Sequence, residues 1–362
     1  MSLDPIYRLL HRAFEALDRP LREILGPRTS QLPALCPITW QPSVLAPVFY
    51  GVKDYAPPDA PGICRVFYPT LDGAVYDAPI LRGCGRYPLI AMLHGHCDQD
   101  LDANGQHVHY KKWIELPASL ARSGYVVVVP HLPNITSGHP PSGVMNDVAL
   151  VTDILNWMRN GWEHDDELMP RPATGIVGHS YGALLGGSLA QSAQLEISAF
   201  VSLAGVWTEW QPPPYPIASL TIPMLFTWGS TQDYENLDLG GLWGTVHPPK
   251  HRAVFDGAGH WDYFPAGRTA CEVSRGPCNG ITMLTADLVA TFFGKYLPPQ
   301  RWSSLRNSIP DTLIIPTPLI LTMEQTFFAG GHLMSLDMLP GTGCSVTLGW
   351  ETTGPPDSTI RP

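Results

Sequence analysis

Residues 125–130 read Tyr-Val-Val-Val-Val-Pro, an apolar run with no polar alternation. A strand with one wet face alternates, whereas a strand buried on both faces does not; such strands belong to parallel sheets covered by helices on either side. Around this run the chain keeps a rhythm. "CRVFYP" (64–69) and "YPLIAML" (87–93) read as strands, and "KWIELPASLARSG" (112–124) as a helix. A helix over about 143–159 follows, with Val144, Val148, Val151, Leu155 and Met158 on one face. Then come the strand "TGIVG" (174–178), the helix "YGALLGGSLAQSA", the strands "ISAFVSLAG" (197–205), "IPMLFTWG" (222–229) and "RAVFDG" (252–257), and a last helix near 280–297. Strand and helix in alternation predict an α/β fold, a doubly wound and mostly parallel sheet.

Three regions follow from this reading. Residues 1–62 form an N-terminal extension, an amphipathic helix carrying Ile6, Leu9, Leu10, Phe14, Leu17 and Leu21 and then a Pro-rich irregular stretch. Residues 63–298 are the catalytic α/β domain. Residues 299–362 are rich in Pro, Thr and Gly, with short apolar runs such as "TLIIP" and "PLILTM" and no helical period, and read as an accessory tail with a few short strands. The N-terminal helix lacks the continuous apolar core of a signal peptide, so the compartment stays open between the cytoplasm and the mature part of a secreted protein. No run of about 18 apolar residues predicts a transmembrane helix.

A formal charge of −10 and the lack of any Lys/Arg block argue against nucleic acid as a partner. The seven cysteines form no C-x-x-C pair, which argues against a structural zinc site. Cys271 and Cys278 are spaced to close a small disulfide loop, with free half-buried thiols as the alternative.

The chemistry centres on "GIVGHSYGALLGG". Gly178-His179-Ser180-Tyr181-Gly182 is a G-x-S-x-G motif between a predicted strand and a predicted helix. In that setting the serine sits on a tight turn, and the flanking glycines are needed because a Cβ there would strike the neighbouring strand or helix. Ser180 would project from the sheet at a helix N-terminus, where the dipole favours developing negative charge. A serine nucleophile needs a base held in one tautomer by an acid. Asp233, just past the strand "PMLFTWG", stands where the acid belongs, with Glu235 and Asp238 as rivals; His260, on the glycine-rich loop after the last predicted strand, stands where the base belongs.

Taken together, "RVFYP", "PLIAMLHGH", "GHSYGALLGG", "TWGSTQD" and "GAGHWDYF" resemble an α/β-hydrolase of the group that includes platelet-activating-factor acetylhydrolases, chlorophyllases and cutinase-like polyester hydrolases. The resemblance covers about residues 60–297. It implies Ser180 as nucleophile, Asp233 as acid, His260 as base and the backbone N–H groups of His96 and Tyr181 as the oxyanion hole, with no cofactor. It does not identify one member of the group.

The strand end "LHGHCDQD" also admits a metal reading, since His94, His96 and Asp98 begin the H-x-H-x-D-H set of a metallo-β-lactamase-like site. The next position, however, is Gln99, and the alternating order is not that of a β-sandwich. His107 and His109 form a second H-x-H pair in a polar loop and read as surface residues. The loops over the serine carry Trp207, Trp210, Trp243 and Trp261 among many prolines; they wall an apolar substrate pocket or, on the plainer reading, pack the top of the domain. The expected activity is hydrolysis of a small-molecule or polymeric ester with an apolar acyl or aromatic part. An acyltransferase with the same triad and a silent hydrolase-fold binding protein are the alternatives.

Overall fold

The computed structural model describes residues 49–137 (apart from 59, 61 and 73–75), 141–207, 216–231, 239–271, 275–276 and 281–300, together with three strands between 323 and 351. The predicted N-terminal helix, Trp210, Asp233, Glu235, Asp238 and Cys278 lie outside the described residues. The strands are β1 (Phe49–Tyr55), β2 (Cys64–Thr70), β3 (Leu89–Leu93), β4 (Val126–Pro130), β5 (Thr174–His179), β6 (Ile197–Leu203), β7 (Met224–Gly229), β8 (Lys250–Phe255), β9 (Met323–Phe328), β10 (Gly331–Leu339) and β11 (Cys344–Glu351). They form one sheet in the order β1-β2-β4-β3-β5-β6-β7-β8-β11-β10-β9.

From β4 through β8 every neighbour pair is parallel, while β1, β2 and the pairings from β8 to β9 are antiparallel. All five residues of β3 and of β4, and all six of β5, are buried, as a parallel sheet covered on both faces requires. The long helices are α1 (Glu115–Arg122), α2 (Pro141–Asn160), α3 (Tyr181–Ala190) and α5 (Ile281–Tyr296), with a shorter α4 at Leu239–Thr245. Among the described residues no helix is long and apolar enough to cross a membrane.

The order of strands dictates where a site can form. After β3 the chain crosses through α1 to β4 on one side; after β4 it crosses through α2 to β5 on the other side of β3. Right-handed crossovers in opposite directions put α1 on one face and α2, with α3, on the other. Accordingly α1 packs on α5 and α2 on α3. The loops leaving the adjacent strands β3 and β5 therefore diverge, and a crevice opens between their carboxyl ends, where open α/β sheets bind ligands.

The predicted strands and helices of residues 64–296 are all present to within a few residues. β1 falls inside the stretch read as irregular: it is a half-exposed edge strand, FYGVKDY, whose composition carries neither a clean alternation nor an apolar run. "TLIIP" and all but the last residue of "PLILTM" lie outside the described residues; the strands described beyond residue 300 are β9, β10 and β11, and β11 pairs with β8 from Val346↔Phe255 to Glu351↔Lys250, so they extend the central sheet.

One core group is out of keeping with its surroundings. Asp287 on α5 is buried, its Oδ1 has no hydrogen-bond partner, and burial pushes its carboxyl up to about 7. The folded protein thus holds this proton up to about pH 7, whereas the unfolded chain releases it near 3.8. Stability is fully present below about pH 4 and is lost as pH rises through 7. Replacing Asp287 with Asn should leave the melting temperature near that of the parent at pH 4 and raise it relative to the parent by on the order of 5 °C at pH 7.5. A difference that stays flat across this range in paired thermal scans would refute the buried acid.

Candidate functional site

Ser180 is the residue between β5 and α3. Its backbone has φ 56° and ψ −125°, a conformation that non-glycine residues rarely adopt, and it serves as the N-cap of α3 without a side-chain capping bond. The turn is closed by its surroundings: Ser180 N–H donates to Leu203 O at 3.0 Å, and Ala183 N–H donates to Ser180 O at 2.9 Å. The two motif glycines are sterically required. A Cβ on Gly178 would lie 2.3 Å from Gly182 O, and one on Gly182 would lie 2.2 Å from Leu93 O and 2.6 Å from His94 O. With its side chain not needed as a cap, Ser180 is presented at the helix N-terminus with Tyr181 as the first helical residue.

The end of β3 closes onto this turn. A Cβ on Gly95 would sit 2.7 Å from Ser180 Cβ, so only glycine permits the approach. His94 orders the loop: its Nδ1 meets Gly95 O at 2.8 Å and its Nε2 accepts the Leu132 N–H at 3.1 Å. These partners select the Nδ1–H tautomer, and burial holds its pKa well below the ordinary imidazole value. Because Gly95 O and His96 N–H belong to one peptide plane, the His94 contact also orients the His96 N–H. With both ring nitrogens engaged by the main chain, His94 has no lone pair left for a metal ion. His96 is half-buried and Asp98 exposed.

His260 is buried in the loop after β8. The Asp262 carboxylate shapes that loop, accepting Gly259 N–H at 2.7 Å, Gly276 N–H at 2.8 Å and Arg275 at 3.1 Å. His179, the residue before Ser180, ties the two elements together: its Nε2 donates to His260 O at 3.0 Å and its ring lies 4.9 Å from that of His260. Burial keeps His179 neutral, its pKa well below the usual value. The end of β7 closes on the same loop, since Thr231 N–H donates to Ala258 O at 2.9 Å and a Cβ on Gly229 would meet that oxygen at 2.1 Å. The structure therefore gathers Gly95, Ser180, His179 and His260, and holds Thr231, just past β7, against Ala258 of the His260 loop.

The tryptophans divide. Trp261 stands edge-on to His260, ring centres 5.4 Å apart. Trp207 is buried, donates from Nε1 to Ser202 Oγ at 3.1 Å and packs behind α3 near Gly187. Trp243 lies over the Lys250 ammonium at 4.7 Å, at the amino end of β8, whereas Ser180 stands at the carboxyl end of β5. These contacts occupy Trp207 and Trp243 in packing.

Two expectations are corrected. Cys271 is bonded to Cys97, 174 residues away, because the loop after His260 folds back against the loop after β3. His109 is fully buried, not on the surface: its Nδ1 lies 2.6 Å from Asp100 Oδ2. Sequence alone offered no signal for either, since both depend on segments meeting across the sheet end. His94, a metal-ligand candidate by sequence, instead braces the β3 loop, and the sequence does not single out His179 or Asp262, although the position of His179 inside the motif could mark it. Among the described residues the one metal-compatible cluster is Cys97, Asp100 and His109, and its sulfur is already committed to the disulfide.

A profile of the alpha/beta hydrolase fold matches residues 88–236, a span that includes the Gly95 loop and Ser180. Among solved structures, a ferulic acid esterase from Streptomyces cinnamoneus is similar, with a TM-score of 0.52 and 16% identity over 77% of this chain and 95% of that one. No curated protein matches the chain by sequence. The chain has the α/β-hydrolase fold, and the resemblance drawn from its motifs holds at that level.

The steric reading of the turn is testable. Gly182→Ala forces a Cβ onto two backbone carbonyls that cannot swing aside, and should cost about 3 kcal/mol or more, the upper end for overpacking. Gly161→Ala meets only the Trp157 ring at 3.1 Å and should cost far less. Urea denaturation of the two variants side by side checks the contrast; equal midpoints would contradict it.

Proposed function

We propose that the protein is a serine carboxylic-ester hydrolase. The observation that carries this reading is the positive φ of Ser180 at the N-terminus of α3, with the Gly95 loop packed against its Cβ and His260 held in the neighbouring loop through His179. In this reading Ser180 Oγ attacks the ester carbonyl and His260 takes its proton. Asp233 holds the imidazolium, and the N–H groups of His96 and Tyr181 receive the oxyanion. His260 then protonates the leaving alcohol, and the acyl group stays on Ser180. A water molecule, deprotonated by His260, attacks the acyl-enzyme and releases the acid, returning the proton to Ser180.

For the substrate, an ester with an apolar acyl or aromatic part is favoured by Trp261 beside His260; the similar solved structure, named a ferulic acid esterase, points the same way. The Cys97–Cys271 disulfide fits an oxidising compartment.

A fluorophosphonate should label Ser180 alone. Ser180→Ala should abolish labelling and lower ester hydrolysis to the residual about 10³–10⁴ over water that binding and the oxyanion hole supply. Labelling that persists in the variant would overturn the assignment. A rate profile over p-nitrophenyl esters of rising acyl length, with a ferulate ester beside them, tests the substrate class: rates highest on the shortest acyl chain and absent on the ferulate would refute an apolar or aromatic preference.

Asp233→Asn should depress kcat on the order of 10⁴-fold while the protein stays folded, because an amide cannot stabilise the imidazolium as a carboxylate does. Near-parental activity in that variant would move the acid to Glu235 or Asp238.

A further inference from the structure

The loop after β3 carries a second buried constellation beyond His96. Asp100 is only 3% exposed, and its carboxylate is fully engaged: Oδ2 lies 2.6 Å from His109 Nδ1 and 2.6 Å from Thr269 Oγ1, and Oδ1 accepts the Ala270 N–H at 2.7 Å. Burial alone would raise the Asp100 carboxyl, but these hydrogen bonds outweigh it and hold the group below its ordinary value. Burial also lowers the His109 pKa, so a neutral imidazole donates from Nδ1 to the carboxylate. Three neutral donors therefore support one buried negative charge, an expensive arrangement if its purpose were only to fill space.

Its connections lead to the proposed catalytic groups. Thr269 and Ala270 belong to the segment that follows the His260 loop, and Cys271 beside them is bonded to Cys97, the residue after His96. His109 stands edge-on against His94, ring centres 5.2 Å apart, and His94 holds the Gly95 carbonyl whose peptide carries the His96 N–H. On its other side His109 packs against Trp261 at 5.9 Å, next to His260. The buried His109 Nε2 has no hydrogen-bond partner. A phenyl ring would pack there without that cost, so the reason for a histidine lies in its Nδ1–H bond to Asp100.

We propose that Asp100 is a positioning residue for ester hydrolysis: through His109, Thr269 and Ala270 it locks the loop bearing the His96 N–H to the segment that follows His260, setting the oxyanion donor against Ser180. The inference rests on the serine-hydrolase reading above. The disulfide keeps the two segments joined, but a single covalent tether leaves their relative rotation free, and the carboxylate with its three donors removes that freedom.

The test uses the full chain and p-nitrophenyl acetate, with Asp100→Asn as the near-isosteric change and Thr269→Val removing one donor. Both are assayed at a temperature well below their measured unfolding midpoints. Asp100→Asn should lower kcat about 10- to 100-fold, below the 10²–10³ typical of deleting an oxyanion donor outright, and should leave KM within about twofold. Thr269→Val should show a smaller loss of the same kind. A purely structural role would instead lower the midpoint and leave kcat of the folded fraction within about threefold of the parent, which would overturn the proposal. If Asp100→Asn does not fold, Thr269→Val decides on the same criterion. Ser180→Ala measured alongside keeps the two ideas apart. Activity surviving in Ser180→Ala refutes the hydrolase reading itself, whereas Ser180-dependent activity indifferent to Asp100 and Thr269 refutes only this one.

Discussion

The structure around the crevice depends on one close approach, that of the β3 carboxyl end to the turn between β5 and α3. Gly182 must accept the Leu93 and His94 carbonyls within van der Waals range, and Gly95 must lie against Ser180. Both contacts fail with any side chain larger than hydrogen. Because β3 and β5 are parallel neighbours paired from Leu89↔Thr174 to Leu93↔Gly178, the approach is imposed by the sheet itself. The positive φ of Ser180 persists because the surrounding backbone over-determines it: its N–H is held by Leu203, its carbonyl by the first turn of α3, and its flanks by glycines.

Buried histidines then knit the loops together without carrying charge. His94, His109 and His179 are each fully buried, and each spends a ring nitrogen on a backbone carbonyl or a carboxylate. Desolvation disfavours their protonation, so they act as neutral, rigid, directional braces. An aromatic layer of Trp113, Trp261, Tyr263 and Phe264 surrounds His179 and His109, which restricts ring rotation and leaves little room for water. The result is a set of loops from four strand ends whose mutual positions depend on a few hydrogen bonds and one disulfide.

Much of this was readable in advance because it is local. The G-x-S-x-G turn, the unbroken apolar runs of β3 and β4, and the order of strands and helices each depend on residues within a short window, where sterics and periodicity leave few options. The edge strand β1 was not readable, since a half-exposed strand imposes no strong pattern on its residues. Nor was the destination of β11: its pairing with β8 is a contact across about ninety to a hundred residues and no local pattern encodes it.

The residue types at the crevice, and therefore the kind of chemistry open to it, were determined by the sequence: a serine between obligatory glycines, a histidine on a glycine-rich loop, a His-Gly at a strand end. Tertiary structure decided which of the remaining polar residues are buried around that crevice. His109 in a polar loop reads as a surface residue until Trp261 and Phe264 pack on it and Asp100 takes its Nδ1–H, and Cys271 has a plausible partner seven positions away until the fold brings Cys97 to it. Such pairings depend on loops from different strand ends converging at one edge of the sheet. That convergence is fixed by crossover handedness and by packing over the whole domain, quantities that no short window of sequence contains.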